Sequence, residues 1–139
     1  MRQNMFCYQC EQTAGCSGCT GKAGVCGKNA QVAALQDELT GALIGLARAT
    51  DGDTLPDETT GKLVIEALFT TMTNVSFDED SIRRCIQRVR QEKERLVPEC
   101  SSCSSPCGRN DEYNMANLWQ AQEDIRSLKS LILFGIRGI

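Results

Sequence analysis

Apolar positions recur with a helical period along three stretches of this chain, and turn chemistry bounds each of them. Val32, Leu35, Leu39, Leu43 and Leu46 share one helical face, with Asp37, Glu38 and Arg48 off it. The run DGDTLPDETTG at 51–61, with its acids, Gly and Pro, reads as a turn. Leu63, Val64, Ala67, Leu68 and Met72 mark a second helix that ends near TNVSF. Ser76 followed by Glu79 has the spacing of a capping box, where a hydroxyl and a carboxylate satisfy orphan amides at a helix start. Ile82, Cys85, Ile86, Val89 and Leu96 then line a third helix, charged on its other side and stopped by Pro98. Three amphipathic helices with short connections pack best as a three-helix bundle over 29–98. No segment alternates as a strand would, so the expected fold is all-α.

Two stretches lack any period. Residues 1–28 are rich in Gly, Cys and Thr and read as a loop wrapped around a site; residues 99–113 form a second cysteine-bearing loop. A last helical run, 114–139, begins near Met115 and carries Ile125, Leu128, Leu131, Ile132, Ile136 and Ile139 on an apolar stripe. It repeats the first helix: Leu35, Leu39, Leu43, Gly45 and Leu46 match Leu128, Ile132, Ile136, Gly138 and Ile139 in phase. The pattern allows two outcomes. Either this helix begins a second bundle, or it packs back on the first as a fourth member.

Composition narrows the chemistry. The chain has 139 residues, a net charge of −3 and interspersed charges, which gives no basic surface for nucleic acid. No apolar run reaches the roughly 18 residues of a membrane span, and no apolar leader precedes the cysteines. Nine cysteines in such a chain fit the reducing cytoplasm, where clustered thiols more often bind metal than pair as disulfides. Histidine is absent, so any chemistry leans on sulfur, carboxylates or a cofactor.

Five of the cysteines fall in FCYQCEQTAGCSGCTGKAGVCGK. Cys7, Cys10, Cys16 and Cys19 make C-x₂-C-x₅-C-x₂-C, two knuckles of the kind that hold tetrahedral zinc. Cys7, Cys10, Cys19 and Cys26 make C-x₂-C-x₈-C-x₆-C, whose uneven spacers suit the bulkier body of an iron–sulfur cluster. Five residues leave little room between zinc knuckles. The glycines between the cysteines let the loop fold closely round a cofactor and offer N–H groups to sulfur. Spacing therefore favours iron–sulfur and leaves zinc open.

The same residues carry a resemblance. MFCYQCEQTA, the Gly15-Cys16 pair, GVCGK at 24–28 and LQDEL at 35–39 follow in order, and the closing AQEDIRSLKSLILFGIRGI is similar as well. In these the chain resembles the hybrid cluster proteins, also called prismane proteins or hydroxylamine reductases. The resemblance covers essentially the whole chain but only about the first quarter of the family's length. It implies a 4Fe–4S cluster ligated by Cys7, Cys10, Cys19 and Cys26, with Cys16 a spare thiol.

It also implies that the reactive centre lies elsewhere. The family reduces hydroxylamine to ammonia, or handles related nitrogen oxides, at a second, hybrid iron–sulfur–oxygen cluster held by downstream domains. The chain is then expected to be an electron-transfer part with no catalytic residue of its own, truncated inside the first helix of a second bundle. Its expected partners are the parent enzyme's remaining domains and a redox donor protein, with neither nucleic acid nor membrane among them. Two other readings compete: a helical interaction module built on zinc or another structural metal, and an independent small helical electron carrier.

Other candidates are weaker. Arg2, Lys22 and Lys28 flank the loop and read as ordinary solvated charges, or as an attraction for an acidic donor. Cys100, Cys103 and Cys107 supply three thiolates, with Cys85 or Asp111 as conceivable fourth ligands, and receive no role. Cys85 and Trp119 read as core. Asp78, Glu79 and Asp80 suit a helix start through the dipole.

Overall fold

The computed structural model describes residues 5–10, 17–50, 56–72, 75–97 and 112–138. Five helices follow in order: α1 Ala30–Ala49, α2 Glu58–Thr70, α3 Glu79–Leu96, α4 Met115–Trp119 and α5 Glu123–Arg137. Among the described residues there is no strand, only an isolated bridge between Cys7 and Cys19. The fold is all-α, as the periodicity leads one to expect.

α1 is the central element, because its apolar stripe is the one most completely enclosed. Val32, Leu35, Leu39, Leu43 and Leu46 are all buried, against Leu63 and Ala67 of α2 and Ile82, Cys85, Ile86 and Val89 of α3. Asn29 starts α1 by accepting a hydrogen bond from the Val32 amide at 2.7 Å, and Asp57 does the same for Thr60 at the start of α2. Cys85 is buried in this core, the expected role for a small hydrophobe.

The start of α3 differs from the capping-box reading. Asp78, not Ser76, is the N-cap, and its carboxylate accepts from the Ser81 amide at 3.1 Å. A carboxylate two residues nearer the helix satisfies the same orphan amide and gains from the dipole, whereas the Ser76 carbonyl is engaged by Gln36. Glu79 and Asp80 occupy the first turn, as expected.

The closing run is also not one helix. It breaks at Gln120–Gln122 into α4 and α5. No Pro or Gly marks the break; the cause is tertiary. Trp119 is held in an aromatic pocket by its indole N–H, which donates to Asp37 Oδ2 at 2.9 Å. Arg126 of α5 donates to the Trp119 carbonyl at 3.4 Å, and Glu123 and Asp124 supply the acids of a fresh helix start.

A second cluster forms where α4 meets the cysteine loop: Tyr8, Met115, Leu118 and Trp119, with Ile44, Tyr113 and Leu133 against them. Gly41 permits this junction. A Cβ there would lie 2.2 Å from the Tyr113 carbonyl oxygen, so only glycine lets the 112–114 segment cross α1.

α5 meets α2 and α4 with Leu133 and the polar side chains around it. Ser130 is buried, Arg126 lies over the Tyr8 ring and Arg137 reaches Thr40 Oγ1 at 3.1 Å. The stripe of Leu128, Leu131 and Ile132 points away, more than 60 % exposed at each position.

Candidate metal centre

The cysteine loop is folded back on itself by backbone hydrogen bonds. Cys7 and Cys19 face each other across the bridge, each amide donating to the other's carbonyl at 2.9 Å, and the Met5 amide donates to Gly21 O at 3.0 Å. Gly18 makes the return possible. Its φ is +61°, and a Cβ there would fall 2.8 Å from the Cys7 carbonyl and 2.7 Å from the Tyr8 ring. A second turn, with Gly24 N–H donating to Lys28 O at 2.8 Å, carries Cys26.

Cys7, Cys10, Cys19 and Cys26 are all free thiols; Cys7 is buried and the other three are half-buried. Met5, Cys7 and Ala33 form a small apolar cluster that includes the edge of Cys19. Burial pushes the Cys7 thiol up from its ordinary range, and the positive charge of Lys28 opposes that shift. The bridge thus brings two of the four expected ligands opposite each other. Among the described residues, no three His, Cys, Asp or Glu side chains converge as a metal-holding group. Cys16, Cys100, Cys103, Cys107 and Asp111 lie outside the described residues.

The donor set is sulfur alone, on a glycine-bearing loop whose arms are tied by backbone hydrogen bonds. At Gly24 the backbone runs close to the Cys26 sulfur, within 3.4 Å of where a Cβ would stand. These features fit an iron–sulfur cluster in kind.

Beneath the loop runs a polar network that the periodicity did not single out. Lys28, taken from sequence as a solvated charge, is 1 % exposed. Its ammonium donates to Gln9 Oε1 at 2.8 Å and to Gln36 Oε1. Gln9 in turn donates to Ala33 O at 3.0 Å and to Asp37 Oδ1 at 2.6 Å. Gln36 donates to Ser76 O at 3.1 Å and Thr70 O at 3.3 Å, reaching the α2–α3 connection. Burial holds the Asp37 carboxyl above its ordinary range, against hydrogen bonds from Trp119 and Gln9. Burial likewise lowers Arg137, and the nearby Asp37 charge partly offsets it. One signal was available: Gln36 and Thr40 sit in phase with Val32 and Leu43, polar residues on the apolar face. Lys22, by contrast, is exposed as expected, and Arg2 lies outside the described residues.

Comparison with known proteins settles the family. The family model described as "Prismane/CO dehydrogenase family" matches residues 5–139. This chain belongs to the Prismane/CO dehydrogenase family. Among its relatives, proteins named hydroxylamine reductase are 38 % identical in Solidesulfovibrio magneticus, 39 % in Bacteroides thetaiotaomicron and 40 % in Syntrophobacter fumaroxidans. The matches cover 97 %, 98 % and 97 % of this chain but only 28 %, 27 % and 29 % of those proteins. Against the prismane relatives the chain therefore spans less than a third of their length. The resemblance carried by the cysteine loop and the closing helix is thereby borne out at the level of family.

Proposed function

We propose that this chain is the N-terminal electron-transfer part of a hydroxylamine-reductase-like oxidoreductase and holds a 4Fe–4S cluster on Cys7, Cys10, Cys19 and Cys26. The observation that carries the reading is the set of four free thiols on one loop, two of them paired across the Cys7–Cys19 bridge. Family membership supports the same conclusion. Such a cluster, when bound, takes up and releases one electron at a time.

The chain's own residues position it. The bridge fixes the Cys7 and Cys19 arms at a set separation, and the Lys28–Gln9 hydrogen bond ties the Cys7–Cys10 arm to the turn bearing Cys26. Tyr8 follows Cys7 directly in the chain and is buried against Trp119, their ring centroids 5.5 Å apart. No titratable side chain near the loop is assigned a role as acid or base.

On this reading, reduction of hydroxylamine to ammonia, or of a related nitrogen oxide, takes place at a hybrid cluster in other domains of the parent enzyme. Those domains cover the outward apolar face of α5, which begins a second bundle, and a redox donor protein supplies electrons in the cytoplasm. No helix of the described residues is long and apolar enough to cross a membrane.

The test is anaerobic purification followed by visible absorption and iron and sulfide analysis. A brown protein with iron and sulfide in near-equal amounts is expected. A colourless protein with stoichiometric zinc would sink the reading in favour of a structural-metal module. Cys26→Ser should lose the cluster and Cys16→Ser should keep it; the reverse result would overturn the ligand set.

A further inference from the structure

Lys28 is an unusual residue to bury. Its ammonium is enclosed, and its acceptors among the described residues are neutral amide oxygens, those of Gln9 and Gln36. No carboxylate forms an ion pair with it among the described residues. An enclosed charge without a counter-charge is costly, because neutral dipoles replace only part of its lost hydration.

The charged groups around it do not remove that cost. Asp37 lies one hydrogen bond further on, beyond Gln9, and it also faces Arg137. Among the described residues, that one carboxylate faces both cations. The field of Lys28 also reaches Cys7, whose arm the ammonium meets through Gln9.

We propose that the thiolates of the cysteine loop are the missing counter-charge, and that Lys28 is a positioning residue whose fixed positive charge favours the reduced form of the centre they hold. Both amides present their oxygens to the ammonium and donate away from it, to Ala33 O, Asp37, Thr70 O and Ser76 O. That arrangement leaves the charge without a carboxylate partner among the described residues. When one electron passes from an external reductant to the centre, the centre becomes more negative by one unit and no protein bond forms or breaks. A neighbouring positive charge therefore stabilises the reduced state more than the oxidised one.

The inference rests on the iron–sulfur reading above, and the test separates the two. The full chain is loaded with iron and sulfide under anaerobic conditions, first as wild type. No cluster in the wild type fails the proposed function itself. With a cluster present, a spectroelectrochemical titration compares wild type, Lys28→Met, Lys28→Gln, Lys28→Arg and Gln36→Leu.

One unit charge about 10 Å from a redox centre in a protein interior changes the reduced-to-oxidised ratio by about an order of magnitude. The two neutral variants should therefore show a ratio about tenfold lower at a given ambient potential, a midpoint lower by about 59 mV for one electron. Lys28→Arg should restore the wild-type midpoint, and Gln36→Leu, which removes an acceptor and no charge, should leave it nearly unmoved. Equal midpoints throughout, or an equal shift in Gln36→Leu and Lys28→Met, would overturn the proposal. So would failure of both neutral variants to fold in the absence of iron, by far-ultraviolet circular dichroism, because the lysine would then serve the fold alone.

Discussion

α3 and α5 are both strongly amphipathic, and they meet the rest of the molecule in opposite senses. α3 turns Ile82, Cys85, Ile86 and Val89 inward and its charges outward, where Arg83, Arg88 and Arg95 find carboxylates. α5 turns Arg126, Ser130 and Arg137 inward and Leu128, Leu131 and Ile132 outward. Three buried polar atoms on that inner side, Arg126 Nε, Ser130 Oγ and Arg137 Nε, have no partner among the described residues. A stripe with helical period identifies a helix and its apolar face. Whether that face is covered depends on what else is present to cover it, because hydrophobic burial has no direction of its own.

The contrast can be tested most strongly by truncation. Ile82 is fully buried, so Ile82→Ala should lower the unfolding free energy by about 2–5 kcal/mol in urea. Ile132 on α5 is 61 % exposed, and Ile132→Ala should stay within about 0.5 kcal/mol of wild type. Equal losses would mean that α5 buries its stripe in solution.

Gly41→Ala sharpens the contrast further. The new methyl cannot coexist with Tyr113 O, and the expected cost is about 1–3 kcal/mol. By hydrogen exchange, α4 and α5 should lose protection while α3, whose apolar face packs in the three-helix core, keeps most of its own. Uniform loss across all helices would make the two regions one cooperative unit.

A smaller effect belongs to the inner side of α5. Arg126→Ala removes a cation held 5.1 Å from the Tyr8 ring centroid, worth about 0.5–1 kcal/mol, and should cost more than Leu128→Ala on the outer side.

The smallest concerns Arg90 of α3, which donates to Glu112 just before α4 at 2.6 and 2.8 Å. These hydrogen bonds hold the Glu112 carboxyl below its ordinary range. A carboxylate with a depressed native pKa adds stability above its unfolded pKa, near about 4.5, and loses it as pH falls through the native value. Glu112→Gln should therefore lose about 0.5 kcal/mol at pH 7 and less as the pH falls through the native pKa, by urea midpoints across the acid range. A constant loss across that range would show that the pair plays no part.

The bundle was readable from the chain because its signals are local and periodic. The stripe of α1 is buried position by position and that of α3 at all but its half-buried last member, Leu96, with Asp78 in place of Ser76 as the cap. The break at Gln120–Gln122 was not readable, since it arises from an indole anchored to Asp37, 82 residues earlier in the chain. At the site, cysteine spacing pointed to a sulfur centre, and the Cys7–Cys19 bridge is consistent with a loop folded back on itself. Lys28 was misread for a physical reason: a lysine in a glycine-rich loop is solvated unless something distant encloses it. Here the enclosure comes from Gln36, whose own amide is spent on Thr70 and Ser76.

Trp119 has a practical consequence. It is the chain's single tryptophan, and it sits where the cysteine loop, α1 and α4 meet, away from the three-helix core. Its emission therefore reports on that junction alone. An unfolding curve followed by fluorescence tracks the seating of the loop, and one followed by circular dichroism tracks the bundle. Any gap between the two midpoints measures, without substituting a residue, how far the redox end can loosen before its support does.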